Sequence, residues 1–179
     1  IYGENSLFVS KVTLFTYVKT ITGTQWPKLF ENEEHLKSLK KAIWHIFIAC
    51  VCVLSLFCRE IPPIKFNNEK TCINISSKII SNLLGRIEQH GAAQSVFDTA
   101  LLDCQKRCSI IDFMRASEGD YAFQIIALAL LDWAPMIDDF KKNDAAIVRN
   151  SIPIRWITVR SEFVKNLKGA EVVSQMGWD

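Results

Sequence analysis

Histidine and glycine are both scarce in this chain. Only His35, His45 and His90 stand in 179 residues, and a serine or cysteine nucleophile commonly needs such an imidazole as its base. His35 falls in a charged helical turn. His90 falls in "EQHG", a helix end, where an imidazolium suits the helix dipole. Both have an ordinary structural use. Seven glycines leave little room for loops that cradle phosphate. No G-x-S-x-G, Walker loop, G-x-G-x-x-G or H-E-x-x-H occurs. These absences remove the common hydrolase, nucleotide-binding and metalloprotease signatures. They lead to the expectation of a non-enzymatic protein with no cofactor and no metal.

Hairpin signals are also missing: no Asn-Gly or Asp-Gly joins two alternating apolar runs. There is no internal repeat and no low-complexity tract. A net charge of +2 excludes a strongly basic, histone-like protein while allowing a local basic patch. The chain opens on Ile1 rather than Met, as a processed chain or a fragment would, and "IYGENSLFVSK" is too polar for a signal peptide.

What is present is apolar surface at helical spacing. Apolar residues make up 49% of the chain, enough for one globular domain over residues 1–179. Leu7, Leu14, Val18 and Ile21 recur with a helical period, and Gly23 is a fitting stop. A second helix runs from about Leu29 to Cys58, opening on Glu31, Glu33 and Glu34. Ile80, Leu83, Leu84 and Ile87 form a third face behind Ser76 or Ser77. Phe97, Leu101, Cys104, Cys108 and Ile111 form a fourth stripe, and Ser117 to Asp120 resemble a capping box. "YAFQIIALALLDWA" is apolar on nearly every side, as a buried helix is. Asp138, Asp139, Lys141 and Lys142 read as a solvated connector. A last helix is expected from Ser151, with Pro153 in its first turn, Ile157, Val164 and Leu167 on one face, and Gly169 as its stop. The expected fold is all-α: a compact single-domain bundle of about six helices around a nearly fully apolar central helix.

The stretch "AIWHIFIACVCVLSLFC", Ala42 to Cys58, carries no charge. A membrane span needs about 20 apolar residues; this run is shorter and flanked by Lys40-Lys41 and Arg59-Glu60, so a core helix is expected and a membrane partner is not. His45, Cys50, Cys52 and Cys58 could suggest a metal site. On a helix, however, Cys50 and Cys52 point about 200° apart, and core packing accounts for them better. The six cysteines are accordingly expected to be free thiols that fill core volume, which places the protein inside the cell. The sequon Asn74-Ile75-Ser76 has meaning only in a secreted protein.

Two sets of charged residues carry the remaining functional expectations. Asp132 lies in a nearly all-apolar helix, so it is expected buried and paired with Arg107, Arg115 or Arg155. "RNSIPIRWITVR" places Arg149, Arg155 and Arg160 around Trp156, while Lys106, Arg107 and Arg115 lie on another helix. Arginine beside an exposed aromatic is how single-stranded nucleic acid is gripped, by phosphate contact and base stacking. The competing expectation, and the favoured one, is that Trp156 is core. The leading functional reading is a helical protein–protein interaction or self-assembly module. The alternative is an RNA-binding nucleocapsid or coat-type subunit that uses the Arg/Trp set.

Overall fold

The side-chain oxygen of Asn32 accepts the amide of His35 at 3.0 Å, and the Asn32 carbonyl accepts the amide of Leu36 at 3.0 Å. This is an N-cap, satisfying an amide that has no partner within its own helix. Glu33 and Glu34 follow in the first turn, where carboxylates favour the dipole. The helix so begun packs against every other described helix. The computed structural model describes residues 2–23, 26–29, 31–57, 94–109 and 121–166. Among these there is no strand. The helices are α1 (Tyr2–Thr22), α2 (Glu33–Phe57), α3 (Gln94–Ser109), α4 (Gln124–Trp133) and α5 (Asp138–Asn166). Single helical turns stand at Trp26–Leu29 and Tyr121–Phe123. The chain is all-α over these residues.

Helix α2 touches all four other helices, and α5 leans chiefly on α4. Every residue from Ala42 to Leu54 is buried, with Ile46, Ile48, Cys50 and Val53 at 0% exposure. The apolar run therefore finds its cover in α1, α3 and α4. Each large aliphatic or aromatic side chain buried there contributes roughly 1.5–3 kcal/mol over leaving it in water. Among the described residues no helix is long and apolar enough to cross a membrane. Helix α1 contributes Leu14 and Val18, and it ends where Gly23 takes a φ of 53°, the left-handed conformation of a helix stop. Helix α4 buries Ile125, Ile126, Ala127, Ala129, Leu130 and Leu131. It ends where the Ala134 amide bonds to the Leu130 carbonyl, just ahead of Pro135.

Three expectations are corrected. Asp138 to Lys142 are not a connector: they are the first turn of α5, where Asp138 and Asp139 face the positive end of the dipole. The Lys141 amide already bonds to the Ile137 carbonyl at 3.2 Å. Pro153 consequently lies inside a 29-residue helix instead of opening one, and Ser151 is no cap: its hydroxyl donates to the Val148 carbonyl at 3.4 Å. The third correction concerns thiols. Cys50 is free and buried, but Cys52 is disulfide-bonded. The expectation of six free cysteines fails there, because apolar surroundings do not prevent two sulfurs from meeting. The expected helix over Ile80 to Ile87, the capping box at Ser117 to Asp120 and the stop at Gly169 lie outside the described residues.

Candidate functional site

Packing α2 against α3 and α4 creates one polar cluster inside the bundle. His45 lies in the apolar stretch of α2, and its side chain is fully buried. Its ring stacks on Trp133 of α4 with centroids 3.4 Å apart and planes 16° from parallel. Asp103 of α3 supplies one carboxylate oxygen to both partners. Oδ2 accepts the Trp133 Nε1–H at 3.1 Å and lies 3.3 Å from His45 Nδ1. Lys41, one turn before His45, sets its Nζ 4.6 Å from the Trp133 ring centroid, within cation–π range. A single carboxylate thus ties three helices together. The pair has the composition of a general base and its orienting acid. A fully buried imidazole, however, has no face open to a reactant, so the arrangement serves packing. Among the described residues no three His, Cys, Asp or Glu side chains are grouped as metal ligands would be.

The carboxylate singled out by sequence is displaced by this cluster. Asp132 is exposed, against the expectation of burial, and its backbone carbonyl accepts Lys141 Nζ at 3.3 Å. Helix α4 is apolar over most of its circumference, yet the Asp132 position near its end turns outward. Asp103, on the more polar α3, supplies the acid that enters the core instead.

The expected nucleic-acid set is spread over two helices. On α5, Arg149 is exposed and Arg160 half-exposed. Eleven residues apart, they fall about 20° from each other around the axis, so they share a flank. Trp156 is 1% exposed and lies 6.2 Å from the Phe123 ring. Its ring faces are therefore occupied by the protein and present no platform for a base. Lys106 is exposed on α3. The side chains of Arg155 and Arg107, and all of Arg115, lie outside the described residues.

A different feature of α5 was hidden in the sequence. Its core-facing row is Val148, Ile152, Trp156, Val159 and Phe163. Ile147, Ile154 and Ile157 are 67%, 71% and 50% exposed. At 100° per residue they lie on the side opposite that row. Ile157, expected on one face with Val164 and Leu167, is outside because the burial of Trp156 and Phe163 sets the rotation of the helix. The legible signal was the spacing: seven residues from Ile147 to Ile154 and three more to Ile157, a coiled-coil seam pattern. The seam also includes Asn150 and Ser161, both exposed. No family model, curated protein or solved structure matches this chain.

Proposed function

We propose that this chain is a non-enzymatic helical interaction or assembly module that docks through the outer face of α5. One observation carries the reading. A helix already anchored by a full apolar row bears a second apolar row, Ile147, Ile154 and Ile157, on its water-facing side. Scattered exposed apolar residues need no explanation, but aligned ones mark contact surfaces. We read the whole chain as one bundle of about six helices with α2 as its apolar centre, presenting α5 at its edge. The RNA-coat reading keeps Arg149 and Lys106 as phosphate contacts but has no stacking ring at Trp156, and it ranks second. Placement inside the cell rested on free thiols, and the bridge at Cys52 weakens that ground.

The test compares wild type with the double variant Ile154→Lys plus Ile157→Lys after purification under native conditions. Both positions face water, so the melting temperature should hold. The expected result is a polypeptide, either a second copy or another protein, that stays with wild type and is lost from the variant. A wild-type protein that elutes alone as a monomer would overturn the reading. Bound nucleic acid that both proteins retain equally would favour the second reading.

A further inference from the structure

We infer that the first half of α5, Asp138 to Arg149, is a hinged arm that opens as a unit about Pro153 while the second half stays docked. Pro153 lies inside the helix and has no amide hydrogen, so the Arg149 carbonyl loses its helical donor. Beside that gap the Ser151 hydroxyl donates to the Val148 carbonyl at 3.4 Å, a local side-chain bond that competes with the helix's own ladder. A proline in this position is also a usual cause of a kink.

The two halves are anchored differently. The second half buries Ile152, Trp156 and Phe163, with Val159 packed partly beside them, and Trp156 lies against Phe123. Among the described side chains of the first half, Val148 alone is buried, and Ala145 packs partly against the core. The rest of its hold is polar. Lys141 Nζ donates to the Asp132 carbonyl of α4 at 3.3 Å, and Gln124 Nε2 donates to the Arg149 carbonyl at 3.4 Å. Both bonds are exposed and long, so water competes for them. The Asp144 carboxylate faces the buried Tyr17 hydroxyl of α1. A segment held by few buried apolar groups and by exposed hydrogen bonds opens at a lower free energy than the whole fold does. Isolated helices shorter than about 12–15 residues are marginal in water, so an arm that leaves the bundle also melts. Opening lays bare Tyr17, Val148 and the Asp132 carbonyl. It also parts Ile147, on the arm, from Ile154 and Ile157, on the anchored half. The outer apolar row is therefore complete only while the arm is closed.

Amide hydrogen exchange on the full chain, resolved residue by residue by NMR under native conditions, tests this. After correction for intrinsic rates, the amides from Lys142 to Val148 should share one rate. It should exceed that of the amides from Ile157 to Phe163 by about tenfold or more, with the step at Pro153. Gln124→Ala should raise the arm's rate roughly two- to fivefold, the effect of one water-accessible hydrogen bond lost. Phe163→Leu should raise the rate of the second half roughly fivefold or more and leave the arm's rate unchanged, because Phe163 stays docked when the arm opens. Low urea should speed the second half more steeply than the arm, since the arm opens by exposing less surface. Should Phe163→Leu fail to fold, the step and the urea slopes of wild type decide. Rates that grade inward from Asp138 would show plain fraying and overturn the hinge. Equal rates and urea slopes in both halves, or a Phe163→Leu effect felt equally by the arm, would show that α5 opens only with the whole fold and would overturn it too. An arm rate that Gln124→Ala leaves unchanged would also overturn it, since the Gln124 bond would then survive the opening.

Discussion

Gln124 Nε2 donates to the Arg149 carbonyl oxygen across 3.4 Å, from the start of α4 to the middle of α5. Arg149 is the acceptor that residue 153 would normally serve. Pro153 has no N–H, so that carbonyl is left open inside a 29-residue helix. A side-chain amide from another helix takes the place of the missing bond. Gln124→Ala should therefore cost about 0.5–1 kcal/mol, the net worth of one such bond at a water-accessible site. In a Pro153→Ala background, where residue 153 donates for itself, the same change should cost nothing measurable. A double-mutant cycle in urea reads the coupling. Equal costs in both backgrounds would show that Gln124 does not replace the missing donor.

That relationship also explains which parts of the fold were legible. Helix α1 was readable from the spacing of Leu14 and Val18 and from Gly23, because period and stop are local signals. The core role of Ala42 to Leu54 was readable because a run without charge has no solvent face. The start of α5 was not readable. Pro153 is common in a first turn and rare in a helix interior, and nothing near it in sequence announces the amide of Gln124. The His45, Asp103 and Trp133 cluster was hidden for the same reason: each residue is unremarkable on its own helix and gains its role only when three helices meet. The outward row on α5 was written in the spacing of Ile147, Ile154 and Ile157, but it could not be told from a core row until Trp156 fixed the rotation of the helix.

Trp156 is 1% exposed against Phe123. Trp156→Ala should cost about 3–5 kcal/mol of stability, the usual loss for an aromatic removed from a core. Thermal melting by circular dichroism measures it. A melting temperature within a degree or two of wild type would return Trp156 to the surface and revive its use as a stacking platform.

Asp103 holds two neighbours through one oxygen, so its variants separate hydrogen bonding from charge. Asp103→Ala leaves the Trp133 indole N–H without its acceptor and His45 Nδ1 without its carboxylate, at a cost of about 1–3 kcal/mol. Asp103→Asn retains an acceptor but no charge. It should preserve the Trp133 indole resonance in a nitrogen–proton spectrum while losing part of the stability. If Asp103→Asn moves that resonance as far as Asp103→Ala does, the acceptor role is not the one assigned.

Tyr17 gives the fold a dependence on alkaline pH. Its hydroxyl is buried without a well-formed hydrogen bond. Burial first, and then the negative charge of Asp144, push the phenol up to about 12. A raised value means that the folded protein keeps a proton which the unfolded chain releases nearer pH 10. Stability from this group is thus fully present below about pH 10 and is lost as pH rises through about 12. Absorbance at phenolate wavelengths should show one of the three tyrosines ionising late. Tyr17→Phe should remove that late step, and Asp144→Asn should move it to lower pH without abolishing it. A late step that survives Tyr17→Phe would assign it to another tyrosine.

The cysteines yield a count. Six are present, and the bridge at Cys52 occupies Cys52 and one other, so thiol titration in denaturant without reductant should find four or fewer. Cys50 is fully buried, and burial pushes its thiol well above the ordinary range. The thiolate is the reactive form, so Cys50 should stay silent to thiol reagents until the chain unfolds. Mass mapping of a digest made without reductant should place Cys52 in a linked peptide pair. Reduction should then lower the melting temperature, since a native bridge commonly contributes about 2–4 kcal/mol. Persistent bridging after purification would favour folding in an oxidising compartment, where the sequon at Asn74 gains meaning. Six free thiols would remove the bridge and restore the reading of a reduced, intracellular protein.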